Sequence, residues 1–233
     1  MSSQRKRGLE VSKKKMIALG WLLACVGVSS ILAQDTGSKP QEKGGMEKGA
    51  KDEGKIEKSA AKTKAPDFTL TDTEGKQHKL ADLADKIVVL EWTNKGCPYV
   101  VRHVKEQTMK KLATEYGQKG VVWMAIDSTA SAVGADVEAW REANAITYPV
   151  LLDPTGMVGR AFDAKTTPHI FVVRNGAILY SGAIDDNARG NVEEPTNYVR
   201  KALDEILAGK AVTTPHVTPY GCSIKFGPGK DAN

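Results

Sequence analysis

Two cysteines, Cys97 and Cys222, stand where sulfur could do chemistry. Cys97 follows the apolar run Ile87-Val88-Val89-Leu90 and the segment Glu91-Trp92-Thr93-Asn94-Lys95-Gly96, and Pro98 comes directly after it. This layout predicts a strand, a turn and a helix whose first residue lies beside the sulfur. At a helix N-terminus the unpaired backbone N–H groups and the helix dipole stabilise an anion, and the thiolate is the reactive form of cysteine. Pro98 suits the first helical position, where an N–H would lack a helical partner anyway. Such a site can lower a thiol from an ordinary pKa of ~8.5 to as low as ~3.5. The competing reading of Cys97 is an inert core cysteine.

Cys222 lies in Pro219-Tyr220-Gly221-Cys222-Ser223-Ile224-Lys225-Phe226, a stretch with enough aromatic and apolar content to dock on a domain. An extended tail running from Gly209 to Cys222 could span ~43 Å, against a radius of gyration of ~15 Å for a domain of this size, so the two sulfurs can meet. The alternatives for Cys222 are a permanent structural bridge or an unpaired thiol.

The elements that would position these residues follow from hydrophobic periodicity. Short apolar runs alternate with longer amphipathic stretches from Ala65 onward, which predicts an α/β domain around a mainly parallel sheet. Strands are expected near Asp67–Leu70, over Ile87–Glu91, Val121–Ile126 and Tyr148–Leu152, and as a hairpin of His169–Val173 with Ile178–Gly182 about Asn175-Gly176. One helix after Cys97 is expected to carry an apolar stripe of Val101, Val104, Thr108, Leu112 and Tyr116; further helices are expected over Asp136–Ala145 and Thr196–Leu207.

Residues 1–15 are basic and Met16 to Ala33 is almost uncharged and apolar, so residues 1–33 read as a secretory signal peptide with cleavage after Ala33. The alternative is an uncleaved membrane anchor, since the run approaches the ~17 to 25 residues that span a bilayer. Either way the chain is expected to work outside the cytoplasm, in the periplasm or an equivalent compartment where disulfides persist. Cys25 lies within the leader. Residues 34–64 are rich in Lys, Glu and Gly and lack aromatics, which predicts a disordered linker. The folded domain is expected over 65–209, followed by a tail over 210–233 that carries Cys222. The formal charge of +5 comes from the leader: without residues 1–34, Lys+Arg falls from 33 to 27 and Asp+Glu from 28 to 27. A nucleic-acid partner, which needs a basic face on the folded domain, is therefore not expected.

Two segments carry a family resemblance: Gly96-Cys97-Pro98 after a strand, and Thr166-Thr167-Pro168-His169 before one. Together they resemble the active-site halves of a thioredoxin-like fold. The order of elements over residues 65–209 is similar to the alkyl hydroperoxide reductase and thiol-specific antioxidant, or redoxin, family. The resemblance implies a cis Thr167–Pro168 bond beside the reactive sulfur, and a supporting role for Glu91, six residues before Cys97, where thioredoxins place a buried acid that helps move protons. Without it, Pro168 reads as a trans strand-start proline and Glu91 as a solvated strand-end carboxylate.

Two departures matter. Val100 stands where thioredoxins have a second cysteine, and Asn94 stands where peroxidatic sites have a threonine, with Thr93 displaced by one. The preferred chemistry is peroxiredoxin-like: attack by Cys97 on a peroxide or a disulfide, and resolution by Cys222, with electrons from an external thiol reductant. A thioredoxin-type exchange with substrate protein disulfides is the alternative. No cofactor or metal is expected. A rival class, a metal- or partner-binding module, would use Cys97, His103, His169 and Cys222 as soft ligands, a set whose spacing supports it poorly.

Overall fold

Over residues 63–227, which the computed structural model describes, the alternating apolar and amphipathic stretches become a mixed sheet with helices against its faces. The leader expected over 1–33, the linker up to residue 62 and the last residues of the tail, 228–233, lie outside the described residues. The strands are β1 (Thr63–Lys64), β2 (Thr69–Asp72), β3 (Gln77–Lys79), β4 (Val88–Trp92), β5 (Val122–Asp127), β6 (Val150–Leu152), β7 (Thr166–Thr167), β8 (His169–Arg174), β9 (Ala177–Gly182) and β10 (Cys222–Ser223). The α-helices are α1 (Pro98–Glu106), α2 (Thr108–Gly117), α3 (Gly134–Ala143), α4 (Met157–Ala161) and α5 (Tyr198–Leu207). The main sheet has the order β1-β9-β8-β4-β5-β6-β2-β3, and β7 and β10 form a separate ladder. The sheet is not mainly parallel as expected: the β4–β5 and β5–β6 pairs are parallel and the other five antiparallel, because strands such as β2–β3 and β8–β9 return directly as hairpins. The domain is a thioredoxin-like α/β fold. Among the described residues no helix is long and apolar enough to cross a membrane.

β4 is buried at every position because it lies between β5, to which it is parallel, and β8, to which it is antiparallel. Its side chains alternate between two cores. Val89 joins Leu112, Trp123, Val137, Tyr148 and Leu203 on the face covered by α2, α3 and α5. Val88, Leu90 and Trp92 join Phe68, Phe162 and Phe171 on the other. Burying a side chain of this size contributes ~1.5 to 3 kcal/mol, so the central strands are the firmest part of the platform.

The helix expected after Cys97 is two helices. Gln107 adopts a left-handed conformation (φ 58°), closes α1 through bonds to the carbonyls of His103 and Val104, and lets α2 start in a new direction. The expected stripe therefore does not lie on one face. Val101 is 48% exposed, and α1 instead buries Val100 and His103. The N-terminal strand pair also shifts, with β2 running to Asp72.

Residues 210–227 are built into the domain. Ser181 N donates to Pro215 O at 2.9 Å and Val217 N donates to Ser181 O at 3.1 Å, on the part of β9 that β1 leaves unpaired. Gly182 permits this approach, since a β-carbon there would lie 2.2 Å from Val217 O. Beyond β10, Ile224 N donates to Lys165 O and Ala130 N to Lys225 O, and Phe226 packs on Gly156 and Gly159 under the Arg160 guanidinium. Thr63 and Lys64, assigned to the linker from sequence, pair with Ile178 and Ala177.

Candidate functional site

At the end of β4 the chain turns through Asn94-Lys95-Gly96 into α1. Asn94 Oδ1 accepts from Gly96 N at 2.7 Å, its carbonyl accepts from Cys97 N at 3.0 Å, and Nδ2 donates to Thr129 Oγ1 at 2.6 Å. The asparagine side chain thus closes the turn and ties it to the segment after β5, a use that suits Asn. Cys97 is the N-cap of α1 (φ −79°, ψ 121°) and Pro98 is its first helical residue.

Cys97 is 3% exposed, and its thiol donates to the carbonyl oxygen of Thr167 at 2.9 Å. The Thr167–Pro168 bond is cis. β10 runs antiparallel to β7, with Cys222 opposite Thr167 and Ser223 opposite Thr166. Gly221 makes the approach feasible: at φ 142°, any β-carbon would sit 2.1 Å from Thr167 O. One residue, Thr167, therefore joins the two cysteines, both of them thiols in this structure.

Burial of Cys97 disfavours its anion, but the Thr167 side chain, the Val100 N–H and Cys222 all favour it, and together they hold the thiol below its ordinary pKa. Cys222 moves the other way: the adjacent Cys97, and then burial, push it up to about 11. The pair is asymmetric. Cys97 gives up its proton more readily than an ordinary cysteine and Cys222 less readily.

Glu91 is 2% exposed. Burial raises its pKa to about 7, against the pull of Trp123 Nε1 and Tyr148 Oη, which both donate to Oε2 at 3.0 Å. With both donors on one oxygen, the other is left to carry a proton that is exchangeable near neutral pH.

His103 is fully buried; its Nε2 lies 2.9 Å from Tyr220 Oη and its Nδ1 lies 3.2 Å from Thr108 Oγ1. His169 Nδ1 accepts from Lys165 N at 3.2 Å. Burial lowers both imidazoles to about 4 and keeps them neutral. Among the described residues no three His, Cys, Asp or Glu side chains converge as a metal site, so Cys97, His103, His169 and Cys222 do not assemble as the rival ligand set would require.

Sequence reasoning did not find Trp123, Tyr148 and Asp185. A charged residue in the apolar run that becomes β4 signals that some donor must meet Glu91, but not which one. Asp185, which accepts a hydrogen bond from Tyr220, carries no local signal at all.

Residues 61–181 match the model of the AhpC/TSA family. The thiol-disulfide oxidoreductase ResA of Geobacillus thermodenitrificans is 30% identical over 115 residues, covering 49% of this chain and 64% of that relative. A hypothetical protein from Sinorhizobium meliloti has a similar structure, with 30% identity over 74% of this chain and 97% of that one (TM-score 0.66). An uncharacterized conserved protein from Geobacillus kaustophilus is likewise 30% identical, over 72% of this chain and 92% of its own (TM-score 0.65).

Proposed function

Because the chain belongs to the AhpC/TSA family, we propose that it is a thiol oxidoreductase in which Cys97 is the nucleophile and Cys222 the resolving thiol. The observation that carries this reading is the β7–β10 ladder, which sets Cys222 opposite the residue whose carbonyl meets the Cys97 sulfur. The oxidant it fits best is a hydroperoxide, since 3% exposure of Cys97 admits a small molecule more readily than a folded protein. The thiolate attacks the terminal peroxide oxygen; the O–O bond breaks, an alcohol or water leaves, and Cys97 becomes a sulfenic acid. Attack by Cys222 then forms the S–S bond, breaks the S–O bond and releases water. Two equivalents of an external thiol reductant restore both sulfurs by exchange. Glu91 is the group suited to hold or release a proton during these steps.

A second reading, exchange with protein disulfides, is favoured by the relative named a thiol-disulfide oxidoreductase. Val100 counts against it, because it removes the paired cysteine of a dithiol reductase. The apolar leader over residues 1–33 supports export to a periplasmic or other extracytoplasmic space, with a membrane tether if it is not cleaved.

The test is peroxide consumption with dithiothreitol as reductant. The native chain turns over, Cys97→Ser does not, and Cys222→Ser gives a reduced rate with Cys97 accumulating as sulfinic acid. Equal consumption by the native chain and Cys97→Ser contradicts the assignment.

A further inference from the structure

Tyr220, two residues before Cys222, fastens the tail to the helix that Cys97 caps. Its ring lies 5.8 Å from Tyr99 and stacks at 6.2 Å on His103, both on α1. Its hydroxyl donates to the carboxylate of Asp185 and also meets His103 Nε2 at 2.9 Å and Arg102 Nη2 at 3.4 Å. Asp185 is 4% exposed and is itself fixed by the backbone N–H of Asn187 at 2.9 Å. One residue after Tyr220, Gly221 crosses the Thr167 carbonyl at a distance that admits no side chain. Cys222 and Ser223 then fill the edge of β7. An extended polypeptide carrying a cysteine could add to that edge and present its sulfur to Cys97, but the tail already holds the place.

We propose that Tyr220 is a positioning residue that selects Cys222, over thiols from outside, as the partner of oxidised Cys97. The proposal rests on the reading that Cys222 resolves Cys97. Condensation of the Cys97 sulfenic acid with any thiol forms one S–S bond, breaks the S–O bond and releases one water, so the chemistry is the same for Cys222 and for an external cysteine. Position decides between them, because an internal thiol held in reach acts at a far higher effective concentration than one in solution. Tyr220 confers that advantage at one end of the crossing, and the ladder with β7 at the other.

The test treats the full chain with one equivalent of hydrogen peroxide in the presence of excess glutathione. After acid quenching, peptide mapping gives the ratio of Cys97–Cys222 disulfide to Cys97–glutathione adduct. The native chain gives almost entirely the internal disulfide. Tyr220→Phe, which removes only the hydroxyl, lowers the ratio by about tenfold, the change implied by loss of a hydrogen bond to a buried charged group. Asp185→Asn, which keeps the Tyr220 ring and hydroxyl but weakens the acceptor of that hydroxyl, lowers it too and carries the test should the first variant not fold. The ratio is read on folded protein, so a purely structural role would leave it unmoved. Variant ratios equal to the native one overturn the proposal, Tyr220→Phe alone sufficing if it folds, and leave the two-thiol reading standing. A native chain that yields only the glutathione adduct overturns that reading itself.

Discussion

The sulfur of Cys97 lies 2.9 Å from the carbonyl oxygen of Thr167. That contact suits the thiol, which can donate; the anion depends instead on donors from Thr167, Val100 and Cys222. Removing one of them should raise the pKa of Cys97. In Cys222→Ala, the pH midpoint for alkylation of Cys97 by iodoacetamide rises above that of the native chain, because the thiolate loses a donor. A midpoint that stays put or falls would show that Cys222 does not touch the Cys97 sulfur.

The reciprocal change is expected at the other cysteine. Cys222 is held up to about 11 chiefly by Cys97, so Cys97→Ala lowers the alkylation midpoint of Cys222 toward ~8.5. An unchanged midpoint would place the two sulfurs apart in solution.

Glu91 ties stability to pH. Its folded pKa of about 7 exceeds its ordinary 4.5, so between those values the native state binds more protons than the unfolded state and stability falls as pH rises. Below pH ~4.5 the penalty is absent; above pH ~7 it is complete and amounts to about 3 kcal/mol. Glu91→Gln is therefore more stable than the native chain at pH 8 and gains nothing at pH 4, as measured by urea unfolding. Tyr148→Phe removes a donor to the carboxylate and moves the Glu91 transition higher still; a downward move contradicts the assigned contact.

Much of this arrangement was legible in the sequence. The central strands, the hairpin at Asn175-Gly176 and the capping of α1 by Cys97 and Pro98 follow from local rules of burial, turn chemistry and helix ends. The break at Gln107 was not legible, because a non-glycine residue in a left-handed conformation is set by where α1 and α2 must pack, not by its own preference. The course of the tail was hidden for a related reason. Its partners, Ser181, Thr167, Lys165 and Ala130, are distant in sequence and use backbone groups, which every residue has. Tyr220 and Cys222 were visible as a segment able to dock, yet Asp185, which receives the Tyr220 hydroxyl, had no pattern to mark it.

Asn94 offers a test of the turn that delivers Cys97. Asn94→Ala loses the bonds to Gly96 N and Thr129 Oγ1, and should lower stability by about 1 to 2 kcal/mol. It should also slow alkylation of Cys97 at fixed pH, because the sulfur is less firmly held at the start of α1. A variant with native stability and native alkylation rate would show that the backbone makes this turn unaided.

Whether Cys97 and Cys222 form one redox pair is tested most directly by intact mass spectrometry under non-reducing conditions. One equivalent of peroxide should lower the mass of the native chain by about 2 Da, through an internal disulfide that maps to the Cys97 and Cys222 peptides and returns to thiols with dithiothreitol. A chain that gains oxygen on Cys97 while Cys222 stays a free thiol, or that keeps both thiols unchanged, contradicts the pairing.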